Sequence, residues 1–198
     1  MTIELRMSGP EDRRQIIDMM DEARGENLTE EQRAERGWVQ GRMNDELLAE
    51  FEAGTGVIVA EDTTNGRVAA FCVTSRPQVG DPGARGALVG YMESAHPDAR
   101  WAMYGPVVID PDYQGHGLMR RLLTRMADVL TGYDLGAAFV DTGNARSMQV
   151  HRHYPFTEDG TYGSVVIDPD YQGHGLMRRL LTRMADVLTG YDLGAAFV

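Results

Sequence analysis

Residues 107–119 read VVIDPDYQGHGLM, and this stretch decides the fold of the chain. Its apolar start predicts a strand, Pro111 and Asp112 predict a turn, and the amphipathic run from Gly115 to Thr131 predicts a helix. Glycine on each side of His116 lets the backbone approach a ligand closely. Because the first amides of a helix lack partners inside it, the segment is typical of an anion site and suits a pyrophosphate.

Two other phosphate-binding patterns do not fit this stretch. A Rossmann fingerprint requires a third glycine, but Gly115 and Gly117 are followed by Arg120 without one. A Walker A loop requires Gly-Lys-Ser/Thr, and this chain has no such sequence. The glycine loop therefore indicates an anion site of another kind.

The flanking sequence alternates between strand and helix patterns. Strands are predicted over Thr2–Met7, Gly56–Glu61, Arg67–Arg76, Arg100–Ile109 with a break at Gly105-Pro106, Asp134–Val140, and from Phe156 onward. Helices are predicted to start near Ser8–Asp12, at the Thr29 capping box and at Asn44, with another over Asn144–His153 and a mobile loop over Gln78–Gly90. This order predicts an α/β (α+β) fold with a mixed sheet and helices on both faces.

A second motif follows the glycine loop at a suitable distance. It reads NARSMQVHRHYPF over residues 144–156, on the last predicted helix. Together, the Gln-Gly-His-Gly loop and this motif resemble the two acetyl-CoA motifs of the GCN5-related N-acetyltransferases (GNAT). The resemblance covers roughly residues 2–163. It implies a mostly antiparallel sheet that is splayed in the middle, and acetyl-CoA as the cosubstrate. Two positions depart from the family pattern, because Met119 replaces Gly or Ala and His151 replaces Tyr.

The resemblance implies a role for each matching residue. The backbone of Val107, Val108 and Ile109 would bind the pantetheine arm as an added strand does. The pyrophosphate would be held by the backbone amides of Gln114, Gly115, His116, Gly117, Leu118 and Met119. Asn144 would bind the pantetheine and Ser147 would lie beside it. The reaction would be direct acyl transfer to the amine of a small molecule or peptide.

His151 and Tyr154 are the catalytic candidates. An imidazole can donate a proton to the departing thiolate, or accept one as a base near neutral pH. His151 could instead pack against the cofactor or cap the helix, with Tyr154 as a second donor. The alternative function is a non-catalytic acyl-CoA-binding module, or an inactivated variant that carries a duplication.

Composition limits the other function classes. A net charge of −11 argues against nucleic acid as a partner and weakly favours a cationic acceptor. No apolar run is long enough to span a membrane, and no secretory signal is evident, so we expect a cytoplasmic protein. Cys72, the only cysteine, lies in an apolar run that predicts a buried, inert thiol. His116, His151 and His153 do not match a zinc motif, so no metal is expected.

Residues 107–140 recur letter for letter as 165–198. The sequence therefore predicts a GNAT-like domain over 1–164 and an appendage over 165–198 that lacks a complete site of its own. Val165–Ile167 could supply the last strand of the domain. The apolar face of the duplicated helix at 173–189 would invite a homodimer if it were exposed. Peripheral packing or poor order of this segment is the expectation.

Overall fold

The computed structural model of the protein describes residues 1–81, 83–154, 156, 158–163 and 193–197. They belong to two compact units, each assembled from separate chain segments. Unit 1 comprises Met1–Arg76 and Arg100–Gly136, and unit 2 comprises Pro77–Ala99 and Ala137–Val198. The predicted boundary between residues 164 and 165 lies outside the described residues and stays a prediction.

The strands and helices of the described residues agree with most of the predicted elements. The strands are β1 (Ile3–Met7), β2 (Val57–Asp62), β3 (Arg67–Ser75), β4 (Trp101–Ile109), β5 (Leu135–Asp141), β6 (Glu158–Gly163) and β7 (Leu193–Phe197). The helices are α1 (Arg13–Glu22), α2 (Glu30–Arg36), α3 (Asp45–Ala53), α4 (Gly83–Ala95), α5 (Leu118–Val129) and α6 (Ala145–His153).

In unit 1, strands β1 to β4 pair in chain order, each antiparallel to the next. The pairing of β3 with β4 shifts between Cys72 and Thr74, which lie opposite Val107 and Tyr104. Gly105 and Pro106 fall within this gap, and proline has no amide to donate to the ladder. The predicted break in the pairing is therefore confirmed, although strand β4 itself continues through Gly105 and Pro106.

Helices pack against this sheet because its strands are apolar on both faces. Alternate residues point to opposite faces of a strand, so Val57 and Val59 face one side while Ile58 and Ala60 face the other. All four are buried. The first pair belongs to a core cluster with residues of α1 and α3, and α5 contacts β1, β2 and β3. Helix α5 is thus packed against the sheet.

Local capping explains where two of the helices begin. Thr29 accepts a hydrogen bond from the Gln32 amide and forms the full capping box, as predicted. Asn44 accepts from the Leu47 amide at 2.8 Å and starts α3. Both predicted helix starts are therefore confirmed. Each depends only on residues three positions apart, so the local sequence is enough to predict it.

The segment predicted as a loop over Gln78–Gly90 contains much of a helix, so that prediction is wrong. Helix α4 spans Gly83–Ala95 and buries Ala87, Leu88, Val89 and Met92. Burial of this apolar stripe outweighs the low helix propensity of its glycines. Among the residues described, none of the helices has the length and apolar character that a membrane crossing requires.

In unit 2, β7 pairs antiparallel with both β5 and β6. The sequence of β7, LGAAF, is the duplicate of Leu135–Phe139 at the start of β5. One pairing therefore joins a strand to a copy of its own sequence. The proposed strand at Val165–Ile167 and the duplicated helix lie outside the described residues.

Candidate functional site

The glycine loop is open to solvent. Gln114, Gly115, His116 and Gly117 are all exposed. Gly115 and Gly117 have φ values of 80° and 70°, in the left-handed region that favours glycine. A side-chain carbon built at either glycine would meet no atom within 4 Å. The loop thus leaves space in which a ligand can approach the backbone.

The start of α5 provides uncompensated backbone donors. Gly117 is the N-cap and makes no side-chain capping bond. The Arg121 amide bonds the Gly117 carbonyl at 3.2 Å, so the amides of Leu118, Met119 and Arg120 precede the first turn's bonds. The positive end of the helix dipole lies at the same place. This geometry fits a diphosphate. Helix α5 begins three residues later than the sequence predicts, because Gly115 and Gly117 are not helical.

Strand β4 leads into the loop. Val107, Val108 and Ile109 pair with Cys72, Phe71 and Ala70 of β3 along one edge of the strand. Val108 is buried, while Val107 and Ile109 are half-buried. The strand, turn, loop and helix that the first motif predicts are therefore all present in unit 1.

A short turn between strand and loop is fixed by hydrogen bonds. Asp110 accepts from the Asp112 amide at 2.9 Å and caps a single 3-10 turn over Pro111–Tyr113. The buried Tyr113 hydroxyl donates to Asp62 Oδ2 at 3.2 Å and accepts from Asn65 Nδ2 at 3.1 Å. The sequence pattern alone does not reveal this contact. A lone tyrosine amid polar loop residues was the available signal, because a buried phenol needs a polar partner.

The second motif lies on α6 in unit 2. Asn144 is buried and its Oδ1 accepts from the Ser147 amide at 3.2 Å, so it caps the helix. Ser147 is half-buried, and its Oγ lies 3.4 Å from His151 Nδ1. The structure therefore brings Asn144, Ser147 and His151 onto one helix, as the sequence predicts.

The state of the His151 ring follows from its surroundings. His151 is only 7% exposed, and its Nδ1 lies 2.8 Å from the Ser147 carbonyl oxygen. A carbonyl can only accept, so Nδ1 carries the proton and Nε2 of the neutral ring carries the lone pair. Burial lowers the pKa of His151 below its ordinary value, against a smaller opposing effect of the Ser147 bond. At neutral pH the ring is thus equipped to accept a proton at Nε2.

Tyr154 follows the last turn of α6. It is half-buried, and its ring meets the His153 ring edge-on with centroids 5.3 Å apart. Phe156 lies 5.5 Å from the His151 ring, centroid to centroid, and helps to bury it. A histidine and a phenol therefore stand close together in sequence at this end of the helix.

Burial makes two other ionisable side chains, Tyr104 and Cys72, unsuited to catalysis. Burial raises the pKa of Tyr104 well above its ordinary value, so the phenol stays protonated. Burial also raises the pKa of the Cys72 thiol to about 12, which confirms an inert thiol. Asp141 accepts from the Gly143 amide at 2.8 Å within a turn, and Glu93 is exposed. No cluster of metal-ligating side chains occurs among the described residues.

Comparison with known proteins identifies the family. A model of the acetyltransferase (GNAT) family matches residues 17–156, which is most of the chain. The chain belongs to the GNAT family. The resemblance seen in the two motifs is therefore confirmed, and the GNAT match includes both of them. No curated protein matches this GNAT chain.

Solved structures show the same GNAT fold. An acetyltransferase, YncA, from Salmonella typhimurium, solved with acetyl-CoA, is 18% identical with a TM-score of 0.60 over 100% of this chain and 92% of that one. A phosphinothricin acetyltransferase from Sinorhizobium meliloti, also in complex with acetyl-CoA, is 16% identical with a TM-score of 0.59, covering 100% and 87%. The ribosomal-protein-S18-alanine N-acetyltransferase of Escherichia coli is 15% identical with a TM-score of 0.58, covering 99% and 92%. GNAT relatives thus use acetyl-CoA as cosubstrate, and the α/β fold of this chain is theirs.

Proposed function

We propose that this protein is an acetyl-CoA-dependent N-acetyltransferase that transfers the acetyl group directly to a primary amine. The observation that carries the proposal is the exposed loop Gln114–Gly117, followed by the uncapped start of α5. Such a loop offers several amides to one anion, and a diphosphate is the part of acetyl-CoA that needs them. Family membership supports the assignment.

Each motif has its own part in holding the cosubstrate. The amides of Gln114 to Met119 bind the diphosphate, and the backbone of Val107 to Ile109 binds the pantetheine arm. Asn144 and Ser147 contact the pantetheine from α6. Because Asn144 already caps α6 through its Oδ1, its amide nitrogen is the group that would donate to a pantetheine carbonyl.

The chemistry of transfer requires one proton to leave and another to arrive. Acetyl-CoA supplies an acetyl thioester, whose carbonyl carbon bonds to the amine nitrogen as the carbon–sulfur bond breaks. His151 Nε2 accepts the proton that the amine loses, which agrees with a neutral ring whose Nδ1 donates to Ser147. The Tyr154 hydroxyl donates the proton that the thiolate gains. The proton on His151 then passes through water to the Tyr154 phenolate, which restores both groups.

The acceptor is an amine of a small molecule or a peptide. A chain with a net charge of −11 attracts cationic amines over long range at low ionic strength. Two relatives suggest probes of each kind: phosphinothricin, and a peptide that begins with alanine. Polyamines are a third group to test, because they carry the most positive charge.

A non-catalytic acyl-CoA-binding module is the second candidate, and one observation favours it. The family position that usually holds Tyr is occupied by His151, whose only proton in the neutral ring is donated to the Ser147 carbonyl. That position therefore offers no proton to a thiolate at neutral pH. A module of this kind would bind acetyl-CoA without turning it over.

Two measurements separate these functions. Calorimetry with acetyl-CoA tests binding, and a thiol-reactive dye then follows release of CoA in the presence of each amine. Background labelling is low because the single cysteine, Cys72, is buried with a raised pKa. Release above the rate without amine supports the enzyme. Binding without release on any amine supports the module, and absence of binding contradicts both.

A further inference from the structure

We infer that Tyr113 is a positioning residue for the glycine loop, held in place by the carboxylate of Asp62 at the end of β2. The inference rests on the proposed function, because the loop's arrangement matters only if the loop receives the diphosphate of acetyl-CoA. Tyr113 directly precedes Gln114 and is 5% exposed. A buried side chain at this point fixes where the loop begins.

The donor and the acceptor can be assigned in each hydrogen bond that Asp62 and Tyr113 make here. Asp62 is 4% exposed and its Oδ1 accepts from the Thr2 amide, the Thr64 amide and the Thr64 hydroxyl at 3.1, 3.2 and 2.7 Å. These bonds, led by that of the Thr64 hydroxyl, lower the pKa of Asp62 to about 2. The group is therefore an acceptor at neutral pH, so the Tyr113 hydroxyl must donate to its Oδ2 and accept from Asn65.

Arg67 restrains the same turn from its exposed side. Its guanidinium pairs with Asp110 at 2.7 Å and with Asp112 at 3.3 Å. The Cζ atom also lies 5.3 Å from the centre of the Tyr113 ring, a cation–π distance. Asp62, Asn65 and Arg67 belong to one hairpin, β2–β3, which is far in sequence from the loop. Side chains of the β2–β3 hairpin therefore contact both ends of the turn, at Asp110 and at Tyr113.

This arrangement has a consequence for ligand binding. Gly115 and Gly117 have no side chains, and a side-chain carbon built at either position would meet no atom within 4 Å. The loop is flanked by two buried residues, Tyr113 on one side and Leu118 on the other, and we expect them to order it. A loop that is already ordered loses less conformational entropy on binding. Loss of the hydrogen bond between Tyr113 and Asp62 is therefore expected to weaken diphosphate binding.

The test compares Tyr113→Phe with Tyr133→Phe in the full chain. Tyr133 is a matched control, since its ring also lies beneath an arginine, Arg76, at 5.9 Å but past the opposite end of α5. Hydrogen–deuterium exchange is measured without ligand in peptides that cover Gln114–Met119 and begin before Val107, because shorter ones would be identical to peptides from the duplicate at 165–198. Affinities for CoA and pantetheine are measured by calorimetry. Tyr113→Phe is expected to speed exchange and weaken CoA binding, each by about tenfold, because a hydrogen bond to a buried charged acceptor is lost.

Pantetheine lacks the diphosphate, so its affinity is expected to stay the same in Tyr113→Phe. A merely structural role would instead lower the melting temperature without faster loop exchange, or weaken both ligands alike. Arg67→Gln is a second variant on an exposed residue, expected to speed loop exchange about twofold to threefold. Unchanged loop exchange in both variants overturns the inference. Failure of the wild-type protein to bind CoA contradicts the proposed function only, because the exchange comparison needs no ligand.

Discussion

Replacing His151 by Asn tests the chemistry assigned to α6. The Asn side-chain nitrogen can keep the 2.8 Å bond to the Ser147 carbonyl, whereas the acceptor at Nε2 is removed. Loss of a general base typically lowers turnover by about 100-fold to 10,000-fold, so we expect kcat to fall by at least about 100-fold, or about 2.7 kcal/mol in activation free energy. Affinity for acetyl-CoA should change little. Steady-state release of CoA and calorimetry measure the two quantities.

The pH dependence of kcat tests the same role of His151. Burial lowers the pKa of His151, so wild-type kcat should fall only below the ordinary imidazole value of about 6.5, and this acid limb should vanish in His151→Asn. The lowered pKa of His151 also makes the free energy of unfolding depend on pH. The unfolded chain binds the proton more readily, so stability is lost as pH falls from the ordinary value through the lowered one. The exposed neighbour His153, changed to Asn, is the control. Full activity of His151→Asn with an unchanged pH profile would refute the assigned role.

Three further changes test the glycine loop, the cap of α6 and the pairing of β7. Gly117→Ala forces a side chain into a left-handed backbone, so it should lower the free energy of unfolding by about 1–2 kcal/mol and weaken acetyl-CoA binding. Gly132→Ala should change neither quantity. Denaturant melts and calorimetry measure the two. Asn144→Ala removes the bond to the Ser147 amide and should cost about 1 kcal/mol in the free energy of unfolding, and an unchanged urea midpoint would contradict this. Deleting residues 164–198 removes β7, which pairs with both β5 and β6, so the melting temperature should fall and light scattering should show association; an unchanged melting curve would argue against that pairing.

Features set by near neighbours could be predicted from the sequence. The Thr29 capping box and the Asn44 cap each involve residues three positions apart, and both are present. The loop at Gly115 and Gly117 was predicted because glycine tolerates the conformations that such a loop needs. Local chemistry thus accounts for most of the element boundaries and for both motifs.

Features that depend on distant contacts could not be predicted. Helix α4 was missed because its glycines indicate a loop, and only the burial of Leu88 and Met92 in the folded protein stabilises the helix. The bond from Tyr113 to Asp62 joins residues 51 positions apart. The tautomer of His151 depends on the backbone carbonyl of Ser147, which a side-chain pattern does not reveal. The pairing of β5 with a copy of its own sequence also needs the three-dimensional arrangement.

We propose above that the exposed amides after Tyr113 bind the diphosphate of acetyl-CoA. Hydrogen–deuterium exchange of the full chain during titration with acetyl-CoA tests it most directly. We expect saturable slowing of exchange in peptides that cover Gln114–Met119 and begin before Val107, which distinguishes them from the duplicate at 165–198. Pantetheine should give no such protection there. Exchange of these peptides that stays the same at saturating acetyl-CoA would contradict the account.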